Sequence, residues 1–184
     1  MSGFTPPPLH ELIIHNEQPE DQDAVTEVLI QAFINHPHSQ QTEHLIVQRL
    51  REQDKLSIAL VAEYQQQILG FIAISPVQLH SAEMSQYDRQ NWYGLGPVAV
   101  RPDQQGYGIG STLIRTALNQ LQLRYPCHGC VVLGEPEYYA RFGFKAYPQL
   151  VLDGVPASYF QALSFADSIP TAQVCYAAAF NCSP

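Results

Sequence analysis

Between an apolar run, Val98-Ala99-Val100, and an amphipathic stretch that starts at Ile109, the chain carries Arg101-Pro102-Asp103-Gln104-Gln105-Gly106-Tyr107-Gly108-Ile109-Gly110-Ser111. Glycines at 106, 108 and 110 let the backbone approach a ligand closely and adopt positive φ. The first turn of the helix that follows leaves N–H groups without intrahelical partners, and with the helix dipole these form a site for an anion. A pyrophosphate is the guest such a turn suits. The Ser111 hydroxyl can add a hydrogen bond to it or serve the helix start. Two familiar phosphate loops do not fit. A P-loop needs Lys before Ser or Thr after its last glycine, and here Ser111-Thr112 follows Gly110 directly. A dinucleotide fingerprint needs G-x-G-x-x-G, and Gly106-Tyr107-Gly108-Ile109-Gly110 brings the third glycine one residue early. Read alone, the turn is equally a glycine-rich helix start with no ligand.

Cys127-His128-Gly129-Cys130 has C-x-x-C spacing. A zinc site calls for a second pair of ligands at similar spacing, and Cys175 and Cys182 are not so arranged. A redox pair opens a helix after a strand, whereas this one follows a helix and leads into a strand. The pair reads as two incidental thiols, and no metal site is expected.

The elements that must position the turn are legible from periodicity. Residues 1–8, with three consecutive prolines, read as a loose tail, and residues 9–184 as one domain. Glu11 to Asn16 is expected as a strand. Asp21 or Asp23 caps a helix carrying Val25, Val28, Leu29, Ala32 and Phe33 on one face, ended by His36-Pro37. Ser39 caps a second helix through Leu50. Ser57–Tyr64 and Ile68–Val77 form a hairpin around Gln65-Gln66-Gln67. Leu79 to Asn91 is polar and irregular. Trp92–Val100 is a strand disturbed at Gly94–Pro97. Ile109–Tyr125 is a helix with Ile109, Leu113, Ala117 and Leu121 on one stripe. Gly129–Leu133 is a buried strand, Pro136 opens a short helix ending at Phe142, and Gly143 suits the left-handed position after it. Phe144 begins an extended segment, and Ser158–Phe165 and Gln173–Ala178 are expected as strands. Hairpins mixed with strand–helix–strand units point to a mixed sheet with helices on its faces.

Composition narrows the partners. Hydrophobic residues make up 46% of the 184, enough for a sizeable core. The formal net charge is -8, so nucleic acid is not expected as a partner and amines suit the charge better. No secretory signal and no membrane-length apolar run is visible, which makes the cytoplasm the expected location.

Gln105-Gly106-Tyr107-Gly108-Ile109-Gly110 matches Q/R-x-x-G-x-G/A, with Pro102 before it and Leu113-Ile114 after it. About thirty residues on comes Tyr138-Tyr139-Ala140-Arg141-Phe142-Gly143-Phe144. With these two elements in this order, residues 10–145 resemble the GNAT superfamily of N-acetyltransferases. Leu133-Gly134 and the late Val174-Cys175-Tyr176 resemble a bacterial-type subgroup. The resemblance implies an α/β (α+β) fold, a mixed central sheet of about seven strands flanked by helices. It also implies acetyl-CoA as co-substrate, an amine acceptor, direct attack in a ternary complex, and a monomer or homodimer.

Residue by residue, the resemblance gives the backbone of Val98, Ala99 and Val100 to the pantetheine amides. It gives Gln105, Gly106, Tyr107, Gly108, Ile109, Gly110 and Ser111 to the pyrophosphate. Tyr139 takes the place of the acid that protonates the leaving thiolate, with Tyr138 one residue out of step. A tyrosine, with pKa about 10, can supply that proton. The family's frequent Glu on the fourth strand has no counterpart between Trp92 and Val100, so Glu83, His80, Glu135 and Glu137 stand as base candidates by sequence proximity. The family's Asn after the fifth strand is replaced by Gly134-Glu135. The absent base motivates a second reading, a non-catalytic acyl-CoA-binding regulatory module on the same fold.

Overall fold

Long runs of aliphatic residues in the middle of the chain predict strands covered on both faces. The computed structural model, which describes residues 7–37, 39–81, 91–166 and 168–181, pairs them as β2 (Ile58–Tyr64) and β3 (Gln67–His80). The turn between them places Gln65 and Gln66 at positive φ, 48° and 64°. β1 (Ile13–Asn16) lies antiparallel to β2, and β4 (Trp92–Val100) antiparallel to β3. β5 (Gly129–Leu133) runs parallel to β4, and β7 (Phe160–Ser164) antiparallel to β5. β8 (Ala172–Cys175) pairs with the far end of β3 and with the two-residue β6 (Leu150–Val151). The sheet thus has eight strands, in the order β1-β2-β3-β4-β5-β7 with β8 and β6 branching from β3.

Each face has its own helices. Val25, Val28 and Leu29 of α1 (Gln22–Phe33) and Val47 of α2 (Glu43–Glu52) pack on Val61, Phe71, Ala73 and Ala99. On the other face α3 (Ile109–Arg124) buries Ile109, Leu113, Ile114, Ala117, Leu118 and Leu121 against Leu60, Ile72 and Ile74. Each large apolar side chain so covered contributes about 1.5–3 kcal/mol. These two contact sets hold β4 between helical layers and fix where its C-terminal end delivers the glycine-rich turn.

The β4–β5 pairing is short. Four parallel pairs run from Trp92↔Gly129 to Leu95↔Val132, and β4 continues alone on that side to Val100. The β3–β4 register shifts there, because Gly96 and Pro97 together stand opposite Ala73 alone, between the pairs Ile74↔Leu95 and Ile72↔Val98. The bulge turns the strand at the point where its neighbour leaves it. After β5 come α4 (Pro136–Tyr139), a 3-10 turn at Ala140–Phe142, and Gly143 at φ 92°.

Several local expectations need correction. The first strand starts at Ile13, because Leu9–Glu11 form a 3-10 turn closed by Glu11 N–H to the Pro8 carbonyl. Pro7 is buried, so packing begins inside the stretch expected to be loose; residues 1–6 lie outside the described residues. Neither Asp21 nor Asp23 caps α1 with its side chain, since the Asp21 carboxylate instead accepts from the Gln18 N–H at 2.7 Å. Ser39 does not cap α2, which starts at Glu43; its hydroxyl donates to the Glu43 carboxylate at 2.6 Å. β3 runs on to His80, carried by its pairing with β8. The eighth strand, β6, is held by β8 and has no periodicity of its own to predict it.

Candidate active site

The glycine-rich turn uses its three glycines in two different ways. Gly106 and Gly108 have φ of 85° and 90°, a conformation that a Cβ strains. Gly110 is helical, and its bareness makes room for a neighbour: a Cβ there would lie 3.1 Å from the Tyr138 hydroxyl. The Gln105 amide donates to the Val100 carbonyl at 3.0 Å, tying the turn back to the end of β4. Gly108 is the N-cap of α3, with its carbonyl accepting from Thr112 through both N–H and hydroxyl. With a glycine at its N-cap, α3 has no side-chain cap bond, and its first turn, which includes the half-buried Ser111, keeps N–H groups without intrahelical partners. Ile109 is buried in the core, so only its backbone belongs to the turn's surface, while Tyr107 is 47% exposed. Leu9 leans on this turn from the N-terminal segment, with Cδ1 3.2 Å from where a Gly108 Cβ would stand.

Val98, Ala99 and Val100 lie on the stretch of β4 that β5 has left. Their pairing to β3 runs Ile72↔Val98, Phe71↔Ala99 and Gly70↔Val100. The opposite edge has no strand partner among the described residues, which is the edge an amide chain can pair with. Ala99 is buried under α1 and α2, whereas Val98 and Val100 are half-buried against the α3 face.

Tyr139 stands at the mouth of that gap. Its ring covers Gly134, just past β5, so closely that a Gly134 Cβ would meet Tyr139 Cε2 at 2.4 Å. Gly134 is held from both sides, its N–H donating to the Tyr159 carbonyl at 2.9 Å and its carbonyl accepting from the buried Gln161 amide at 3.0 Å. Phe144 and Tyr138 meet the ring edge-on, at centroid distances of 5.9 and 5.1 Å. Burial, then the neighbouring Tyr138 and Cys130, pushes the Tyr139 phenol well above the ordinary tyrosine range. It therefore keeps its proton at neutral pH. Tyr138, one residue earlier, points elsewhere: its hydroxyl reaches the start of α3, and the Arg141 guanidinium lies 4.7 Å over its ring. The two tyrosines that sequence spacing could not separate thus sit differently, Tyr139 over Gly134 and Tyr138 beside Gly110.

The base candidates do not converge on Tyr139. Glu135 and Glu137 are exposed on either side of Pro136, and His80 is exposed at the far end of β3, opposite Gln173. Glu83 lies outside the described residues, as do Cys182 and most of the irregular segment before Asn91. Burial pushes the Cys127 thiol up to about 12 and holds Cys130 well above the usual range, so both stay protonated. Sequence reasoning missed Gln161, which reaches Gly134 from β7 across 27 residues, and Tyr176, whose ring covers Gly94 on β4. Neither contact leaves a local pattern, because both are made by sheet register.

A family model for the acetyltransferase (GNAT) domain matches residues 55–146. The Escherichia coli K12 protein described as uncharacterized N-acetyltransferase YhbS is 30% identical over 135 residues, 73% of this chain and 74% of its own. YjhQ of the same strain, described in the same terms, is 30% identical over 152 residues, 82% of this chain and 78% of its own. A GNAT family acetyltransferase from Brucella melitensis, solved in complex with acetyl-CoA, superposes with a TM-score of 0.79. It is 43% identical, covering 93% of this chain and 99% of that one. YhbS from Escherichia coli, solved with CoA, superposes at 0.80 with 30% identity over 97% and 96% of the two chains.

Proposed function

The chain belongs to the GNAT family of acetyltransferases, and from that premise we propose that it moves the acetyl group of acetyl-CoA directly onto a primary amine. The observation that carries this reading is the position of Tyr139. A half-buried, protonated phenol stands over Gly134 beside the edge of β4 that has no strand partner among the described residues, with the glycine-rich turn at the other end of the same edge. Relatives solved with acetyl-CoA and with CoA support the choice of co-substrate.

In this reading the N–H groups of the first turn of α3, the Ser111 hydroxyl and the backbone of Gln105–Gly110 hold the pyrophosphate. The open edge of Val98–Val100 pairs with the pantetheine amides and directs the thioester toward Tyr139. The amine nitrogen forms the new C–N bond, and the C–S bond breaks. Tyr139 gives its proton to the departing sulfur, and the proton shed by the nitrogen restores the phenol. The products are an amide and free CoA thiol. Release of free thiol from acetyl-CoA, assayed across a panel of small primary amines and lysine peptides, tests the reading. Amine-dependent thiol with a matching acetylated product is expected; acetyl-CoA that stays intact with every amine, or that fails to bind in calorimetry, contradicts it.

A further inference from the structure

The aromatic residues after β5 hold two guanidinium groups beside the glycine-rich turn. Arg115, on α3, lies 5.2 Å over the ring of Phe142, and Arg141 lies 4.7 Å over the ring of Tyr138. The two rings meet edge-on at 5.6 Å, and the Tyr138 hydroxyl reaches Gly110 at the start of α3. Arg115 follows Ser111 by four residues, which puts both on one face of α3, a turn apart. Both arginines are exposed. Neither has a carboxylate within ion-pair distance among the described residues, and Glu137, four residues before Arg141, is no exception. Arg101 stands closer to the turn in sequence, but its guanidinium is already forked onto Asp103 through two bonds, at 3.2 and 3.0 Å. Other cations on the surface lack acids too. What sets Arg115 and Arg141 apart is that rings hold them, and that those rings reach the turn.

Resting on the acetyl-CoA binding proposed above, we propose that Arg115 and Arg141 hold the 3′-phosphate of the cofactor. CoA carries phosphate of two kinds. The diphosphate bridge joins pantetheine to the ribose, and the N–H groups at the start of α3 suit it. The 3′-phosphate is a monoester on the ribose, beyond the diphosphate as seen from the thioester. It carries about -1.5 to -2 charges at neutral pH and three strong acceptor oxygens. N–H groups engaged by the diphosphate cannot also meet it, so its partners must be cations beside the turn. A guanidinium presents a planar fork that fits two phosphate oxygens. One that already rests against a ring has less rotamer freedom to lose on binding. In a chain of net charge -8, a pair of cations at this place also offsets locally the repulsion that an anion meets.

Calorimetry on the full chain compares acetyl-CoA with acetyl-3′-dephospho-CoA, which keeps the thioester and the diphosphate and lacks only the 3′-phosphate. Wild type should bind acetyl-CoA about tenfold more tightly or better, the effect of charge-assisted hydrogen bonds to one phosphate. In the variant that carries both Arg115→Gln and Arg141→Gln, affinity for acetyl-CoA should fall to that for the dephospho form. Affinity for the dephospho form itself should change by less than about twofold, because the turn and its diphosphate contacts are untouched. Equal binding of the two ligands by wild type overturns the assignment. So does a preference that survives in the double variant, or a loss shared equally by both ligands. Each of these results leaves the proposed function standing. Failure of acetyl-CoA to bind wild type at all overturns both.

Discussion

Tyr138 and Tyr139 are neighbours in sequence whose rings have different surroundings, and substitution should separate them. Tyr138→Phe removes a hydroxyl that touches the start of α3. Acetyl-CoA should then bind about fivefold more weakly in calorimetry, about 1 kcal/mol, with turnover at saturation retained. Gly134→Ala drives a methyl into the Tyr139 ring, 2.4 Å from Cε2. The ring must move, so thiol release should fall roughly tenfold or more while acetyl-CoA affinity changes little, since a misplaced acid lowers the chemical step and not cofactor binding. Sequence spacing identified Tyr139 only through family resemblance. The structure adds how its ring is held, between Phe144, Tyr138 and a glycine whose carbonyl accepts from Gln161.

The turn and the first hairpin carry the predictions that belong to elements. Gly108→Ala places a Cβ at φ 90° and 3.2 Å from Leu9 Cδ1. It should cost roughly 1–2 kcal/mol in urea unfolding and weaken acetyl-CoA binding as well. At the sheet edge, His15 on β1 lies 3.0 Å from the Glu63 carboxylate on β2 and 4.0 Å from that of Asp21. Partial burial opposes the charged imidazole, but the Asn16 carbonyl, Glu63 and Asp21 outweigh it and hold its pKa above the ordinary value. A raised folded-state pKa stabilises fully below the unfolded value and is lost as pH climbs through the folded one. Wild type should therefore exceed His15→Gln in urea midpoint below about pH 6, and the gap should close as pH rises toward about 8. Elements with strong periodicity, such as α3 and the β2–β3 hairpin, were readable from the chain alone. β6 and the extension of β3 were not, because β8 creates both through long-range pairing.

At the scale of the molecule, the net charge of -8 opposes the approach of an anionic co-substrate, while the start of α3 attracts it only at short range. Raising ionic strength from about 10 mM to about 150 mM screens the repulsion, so the association rate of acetyl-CoA in stopped flow should rise, not fall. The candidate cofactor segment was legible because Val98–Ser111 is one continuous stretch of the chain. The packing of Tyr176 on Gly94 was not, since the two come from different strands or their ends and meet only when β8 folds back onto β3. The proposed function turns on a single claim, that the gap between β4 and β5 seats a thioester whose leaving sulfur takes its proton from Tyr139. Single-turnover thiol release by Tyr139→Phe, at saturating acetyl-CoA with an amine that wild type accepts, tests this most directly. The account predicts a fall of about 100-fold or more with unchanged acetyl-CoA affinity; a rate within about twofold of wild type would contradict it.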